Sequence, residues 1–109
     1  MHLDTKALLR IDTLLVAAIA IAASETVLAA ESNLGRDIAA NCAACHGTAG
    51  RSRGSLPSLA GRDKATIVKQ IQEFRDGTRP STIMQQIAKG YTDAQLEAAA
   101  AYFAAQRPD

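Results

Sequence analysis

Tryptophan is absent from this 109-residue chain, and its aromatic residues amount to two tyrosines and two phenylalanines. A chain of this length holds one domain. Phe74, Tyr91, Tyr102 and Phe103 give it little bulk to fill a centre, and much of its apolar content is small alanine. So small a domain rarely holds together by apolar burial alone, so something other than its own side chains is expected in the middle. A surplus of charge is also missing: 12 basic residues stand against 11 acidic ones, with no basic block. That balance excludes nucleic acid as partner, since clustered Lys and Arg dominate phosphate binding. Cysteine occurs twice, at Cys42 and Cys45, and a disulfide closing so short a loop would constrain the unfolded chain weakly. No alternating apolar run suggests a strand, no segment repeats, and an all-α fold is expected.

What is present begins with an export signal. Lys6 and Arg10 precede an apolar run from Thr13 to Ala23, and Ser24 to Ala30 ends in small residues. This is the layout of a secretory leader, with Val27-Leu28-Ala29 or Leu28-Ala29-Ala30 as the cleavage triplet. The alternative is a retained anchor, but the run falls short of the ~20 apolar residues a span needs. Residues 1–30 are therefore expected to be removed, leaving 31–109 as the folded domain in the periplasm, with no stable membrane insertion. Removal takes Lys6 and Arg10 with Asp4, Asp12 and Glu25, which moves the formal net charge from +1 to +2.

Four helical stretches follow. The first spans Leu34 to Cys45, with Leu34, Ile38, Ala39 and Cys42 at helical spacing and Ser32 or Asn33 as cap. Gly47 to Gly61 is rich in Gly and Ser and reads as an irregular loop. The second helix runs from Lys64 to Arg75, capped by Asp63, ended by Gly77, with Ile67, Val68, Ile71 and Phe74 as its buried stripe. A connector with Arg79-Pro80 leads to a short piece from Ile83 to Lys89, closed by Gly90. The last helix opens on a capping box of Thr92 and Gln95, with Tyr91 and Leu96 at the staple positions. It is expected to run to Arg107, where Pro108 stops it.

The segment Cys42-Ala43-Ala44-Cys45-His46 has the spacing of covalent haem attachment. Two thiols one helical turn apart can add to two vinyl groups of a porphyrin, and the adjacent histidine then lies under the iron. A thioredoxin-like pair would need a βαβ context, which is missing. A zinc site needs four ligands, and soft donors are too few. With His2 and Met1 lost in the leader, His46 and Met84 remain as the one histidine and the one methionine. Thioether opposite imidazole is an electron-transfer ligand set. Ordinary core packing is the commoner role of a lone Met, and without Met84 the sixth position would fall to Lys89, Tyr91 or water. Pro57 stands eleven residues after His46. Its carbonyl is a candidate acceptor for the imidazole N–H, or it is a simple turn proline. Arg51, Arg53, Arg62 and Arg79 surround these segments, and one or two of them can pair with haem propionates. Arg79, between the second helix and Met84, is the best placed.

Over essentially all of 31–109 the sequence resembles class I c-type cytochromes. Asn41-Cys42-Ala43-Ala44-Cys45-His46-Gly47, Leu56-Pro57-Ser58-Leu59-Ala60-Gly61 and Gly77-Thr78-Arg79-Pro80 look like the cytochrome c4 and c553 branch. Ser81-Thr82-Ile83-Met84, Lys89-Gly90-Tyr91-Thr92-Asp93 and the Ala-rich Tyr102-Phe103 ending are similar to the cytochrome subunit of flavocytochrome c sulfide dehydrogenases. The resemblance implies about four helices wrapped around one covalent haem c, with the first and last crossing beside it. It also implies His46 and Met84 as axial ligands and the Pro57 carbonyl as partner of His46. Two positions depart from the family: Ile38 stands where an aromatic is common, and the small residue of the helix crossing, Gly35, is displaced by one. The implied function is non-enzymatic, single-electron transfer from a sulfide-oxidising flavoprotein. The alternatives are a free c553-type carrier and a haem enzyme or sensor with an exchangeable sixth ligand.

Overall fold

A computed structural model describes residue 30 and residues 33–108; residues 1–29 of the expected leader lie outside the described residues. Among the described residues all regular structure is helical. Helix α1 covers residues 33–46, α2 Lys64–Asp76, α3 Met84–Lys89 and α4 Asp93–Ala104, with a single 3₁₀ turn, Thr48–Gly50, after α1.

The ends of these helices are set by local chemistry. Asp63 caps α2 by accepting from the Thr66 N–H at 2.9 Å, and Gly77 ends it in the left-handed region at φ 80°, where a residue without Cβ meets no penalty. At α4 both halves of the capping box form: the Gln95 N–H donates to Thr92 Oγ1 at 3.2 Å, and the Thr92 N–H donates to Gln95 Oε1 at 2.9 Å. Asn33 already lies within α1, so it is not the cap, and Ser32 is outside the described residues.

Helix α4 stops at Ala104, three residues before the expected end at Arg107. Two carbonyls of its last turn take other donors, and the segment after it is tied to the loop. Gly61 N–H bonds the Phe103 carbonyl at 2.9 Å, the Gln106 side chain bonds the Tyr102 carbonyl at 2.9 Å, and Arg51 Nε bonds the Arg107 carbonyl at 2.9 Å. The loop of residues 47–61 thus ends the helix by competing for it. That loop is ordered by its own bonds: Leu59 and Ala60 N–H both reach the Gly50 carbonyl, at 2.7 and 3.2 Å.

The core is small, as the scarcity of rings implies. Ala39, Ile67, Ala100 and Phe103 form its centre, with Cys42, Leu59, Val68, Ile71 and Tyr102 packed around them. Helices α1 and α4 meet at Gly35, where a Cβ would run into the Ala98 carbonyl. This close approach is the reason a residue without a side chain stands there. It also corrects the expected stripe of α1. Leu34, one position round from Gly35, is 40% exposed, whereas Ile38 and Ala39 are buried. Helix α2 packs on α3 and on α4. Two ion pairs bracket the α2–α4 contact, Lys64 to Glu97 at 2.8 Å and Arg75 to Asp93 at 2.7 Å. Being exposed, such pairs orient the helices more than they stabilise them.

Candidate functional site

The helices leave between them a cavity of about 450 Å³, within the range that takes a cofactor-sized ligand. Its wall is assembled from every element. Ile38 and Cys42 come from α1, Leu59 from the loop, Ile67, Ile71 and Phe74 from α2, Ile87 from α3 and Phe103 from α4. The cavity explains why the expected stripe of α2 is only partly covered. Ile67 is buried, but Ile71 and Phe74 are half-buried, because part of each side chain lines this space.

The chemistry-bearing residues line the same cavity. Cys42, Cys45 and His46 stand on the last turn of α1, Met84 on the first residue of α3, and Pro57, Arg62 and Arg79 on the connecting segments. His46 and Pro57 are joined directly, Nδ1 to the Pro57 carbonyl oxygen at 2.7 Å. A carbonyl can only accept, so His46 carries its proton on Nδ1 and keeps the Nε2 lone pair for a metal. The turn that makes this possible begins at Gly47, whose φ of 83° sends the chain away from α1, and where any Cβ would strike the Arg51 carbonyl.

The two thiols differ in surroundings. Cys45 is exposed, whereas Cys42 is half-buried with its Sγ 3.7 Å from the Ile38 carbonyl. Burial, and secondarily the nearby Cys45 thiol, push the Cys42 thiol above its ordinary range. Among the described residues no three His, Cys, Asp or Glu side chains gather to hold an ion by themselves. The donors present, two thiols, one imidazole and one thioether around an apolar space, instead fit a porphyrin held by thioether bonds and axial ligands.

Arg79 is engaged within the protein. Its Nη1 lies 3.3 Å from Glu73 Oε2, and its guanidinium carbon sits 5.3 Å above the Phe74 ring centre. Two further lining residues were not singled out from the sequence. Gln70 lies within the α2 stripe at helical spacing from Ile67 and Phe74, and a polar residue in that register was the available signal. Asn41 donates from Nδ2 to the Tyr91 hydroxyl at 3.4 Å. These two are fifty positions apart, and no local pattern announces them. No described helix is long and apolar enough to cross a membrane.

Comparison with known proteins places this geometry. Residues 29–103 match the family described as cytochrome c oxidase, cbb3-type, subunit III. The chain is 37% identical over 82 residues to the cytochrome subunit of sulfide dehydrogenase of Chlorobaculum tepidum, covering 75% of this chain and 74% of that protein. It is 36% identical to cytochrome c4 of Pseudomonas aeruginosa over 72% of this chain, but over only 40% of that protein. A solved cytochrome c4 of Acidithiobacillus ferrooxidans superposes with a TM-score of 0.64 at 37% identity, covering 69% of this chain and 49% of that one. The chain thus spans most of the sulfide dehydrogenase subunit and less than half of the c4 relatives.

Proposed function

This chain belongs to the cytochrome c family, whose members carry covalently bound haem c and transfer electrons, and from that premise we propose that it is a periplasmic monohaem carrier accepting single electrons from a sulfide-oxidising flavoprotein. The observation that carries the reading is the convergence on one cavity of Cys42, Cys45, His46 and Met84, with His46 Nδ1 held 2.7 Å from the Pro57 carbonyl. In this reading the Cys42 and Cys45 sulfurs hold the porphyrin through thioether bonds. His46 Nε2 and the Met84 sulfur would hold its iron. Bound haem iron supplies a one-electron Fe(III)/Fe(II) couple.

The protein's own part is positional. The Pro57 carbonyl fixes the tautomer and orientation of His46 and strengthens it as a donor. Met84 is presented from a different segment, the start of α3, so the two iron ligands would come from α1 and α3. Ile38, Leu59, Ile67, Ile71 and Phe103 give the centre an apolar wall. With an imidazole and a thioether both available to the iron, these residues would suit electron transfer rather than substrate binding at the metal. Residues 1–30 act in this reading as the export leader, which delivers the chain to the periplasm.

The partner assignment is supported by similarity to two kinds of relative: the sulfide dehydrogenase subunit, and the thiosulfate dehydrogenase electron acceptor of Stutzerimonas stutzeri, 42% identical over 67 residues. Both are named for sulfur-compound oxidation. The test is to purify the exported protein, weigh it intact, and follow its reduction by sulfide with and without a sulfide-oxidising flavoprotein. The expected result is a mass increased by one haem and reduction that depends on the flavoprotein. A mass without the macrocycle would refute the cofactor assignment, and flavoprotein-independent reduction of the loaded protein would refute the partner.

A further inference from the structure

We infer that Arg62, and not Arg79, is the side chain that binds a carboxylate of the cofactor; the inference rests on the haem-carrying reading above. Two arginines line the cavity, and they differ in what already holds them. Arg79 is already engaged: Glu73 Oε2 lies 3.3 Å from its Nη1 (the same carboxylate also meets Lys69 Nζ at 3.3 Å), its backbone N–H reaches the Glu73 carbonyl at 3.1 Å, and its guanidinium lies over Phe74. Arg62 is half-buried, and its guanidinium has no hydrogen-bond or ion-pair partner among the described residues.

The acid next to Arg62 in the sequence and the acid that reaches Lys64 are both committed elsewhere. Asp63, its neighbour, accepts from Thr66 N–H and Thr66 Oγ1 at 2.9 and 3.0 Å as the cap of α2. Glu97 takes Lys64 at 2.8 Å. A half-buried cation against an apolar wall is unfavourable unless an anion reaches it. Haem brings two propionate carboxylates, and a guanidinium fork matches a carboxylate bidentately. The backbone at this point is fixed on both sides, Gly61 N–H to the Phe103 carbonyl at 2.9 Å and Arg62 N–H to the Leu59 carbonyl at 3.2 Å. The side chain therefore leaves from a settled position at the joint between loop and α2.

The electrostatic consequence has a definite sign. An ionised propionate near the iron favours Fe(III), and a paired arginine cancels part of that effect. Losing Arg62 should therefore lower the midpoint potential. The experiment uses the loaded protein: Arg62→Gln, Arg62→Lys and Arg79→Gln are titrated potentiometrically, and the reduced wild type is searched by NMR for proximity between Arg62 side-chain protons and propionate methylene protons. We expect a lower potential in Arg62→Gln, recovery towards wild type in Arg62→Lys, a smaller shift in Arg79→Gln, and the NMR contact. An Arg62→Gln potential equal to wild type, or a shift in Arg79→Gln as large or larger, overturns the assignment. If Arg62→Gln does not accumulate, the wild-type NMR decides alone. A contact from Arg79 and none from Arg62 counts against the proposal, as does an Arg62 that meets carboxylate only on adding a partner protein. Protein without haem would instead defeat the underlying cofactor reading.

Discussion

His46 and Pro57 are held together by one short hydrogen bond, 2.7 Å from imidazole Nδ1 to the proline carbonyl oxygen. The acceptor is backbone, so the bond does not depend on which side chain follows it, only on the path of the loop. That path is set by Gly47 at one end and by Leu59 and Ala60 bonded to Gly50 at the other. The loop therefore acts as the support of the His46 ring, and its irregular path serves that contact.

Met84 begins α3 and lines the cavity from a segment distant from the cysteines. In loaded protein, Met84→Ala is expected to open one axial position. Carbon monoxide should then bind the reduced form at once, whereas the wild type should bind it slowly or not at all. Rapid binding by the wild type would show that the sulfur is not a ligand.

The core centre holds only Ala39, Ile67, Ala100 and Phe103, so the cofactor must complete it. Cys42→Ser and His46→Ala are expected to abolish accumulation of folded, haem-stained protein in exported fractions. A cofactor-free chain with full helical circular dichroism would contradict this.

Gly35 lies against the Ala98 carbonyl, while Gly54 has open space around the position of a Cβ. Gly35→Ala should therefore cost about 1–3 kcal/mol, as overpacking does. Gly54→Ala should change stability by no more than ~0.5 kcal/mol, as surface substitutions usually do. Urea unfolding of the two loaded variants compares them directly.

Asp63 is held below the ordinary carboxylate range by its hydrogen bonds from the Thr66 N–H and side chain. A depressed folded-state pKa stabilises above the unfolded value and is lost as pH falls through the folded one. Asp63→Ala should accordingly lower the denaturation midpoint at pH 7, and the difference from wild type should shrink below about pH 4, where the unfolded carboxylate titrates. A difference that stays constant with pH would mean the cap acts without its charge.

Much of this was legible in the sequence because it is local. A haem motif is five consecutive residues, a cap is a residue and the N–H two or three positions on, and the capping box at Thr92 and Gln95 uses no contact outside its own turn. The early end of α4 was not legible. Pro108 forbids a helix past Arg107, but the donor that claims the Phe103 carbonyl, the Gly61 N–H, comes from a loop more than forty positions away. The exposure of Leu34 was hidden for a similar reason, since spacing gives a face of α1 but not which side α4 approaches.

By itself the sequence determined that the fold is helical, that its interior lacks bulk of its own, and which residues could bond iron and porphyrin, because composition and short-range spacing suffice for these. Tertiary structure alone decided that Cys42, His46, Met84 and Pro57 surround one cavity, and that Arg79 is paired with Glu73 while Arg62 faces the cavity with no partner among the described residues. Such facts depend on distances between segments far apart in the chain, and those distances are fixed only when α1, α2 and α4 pack together.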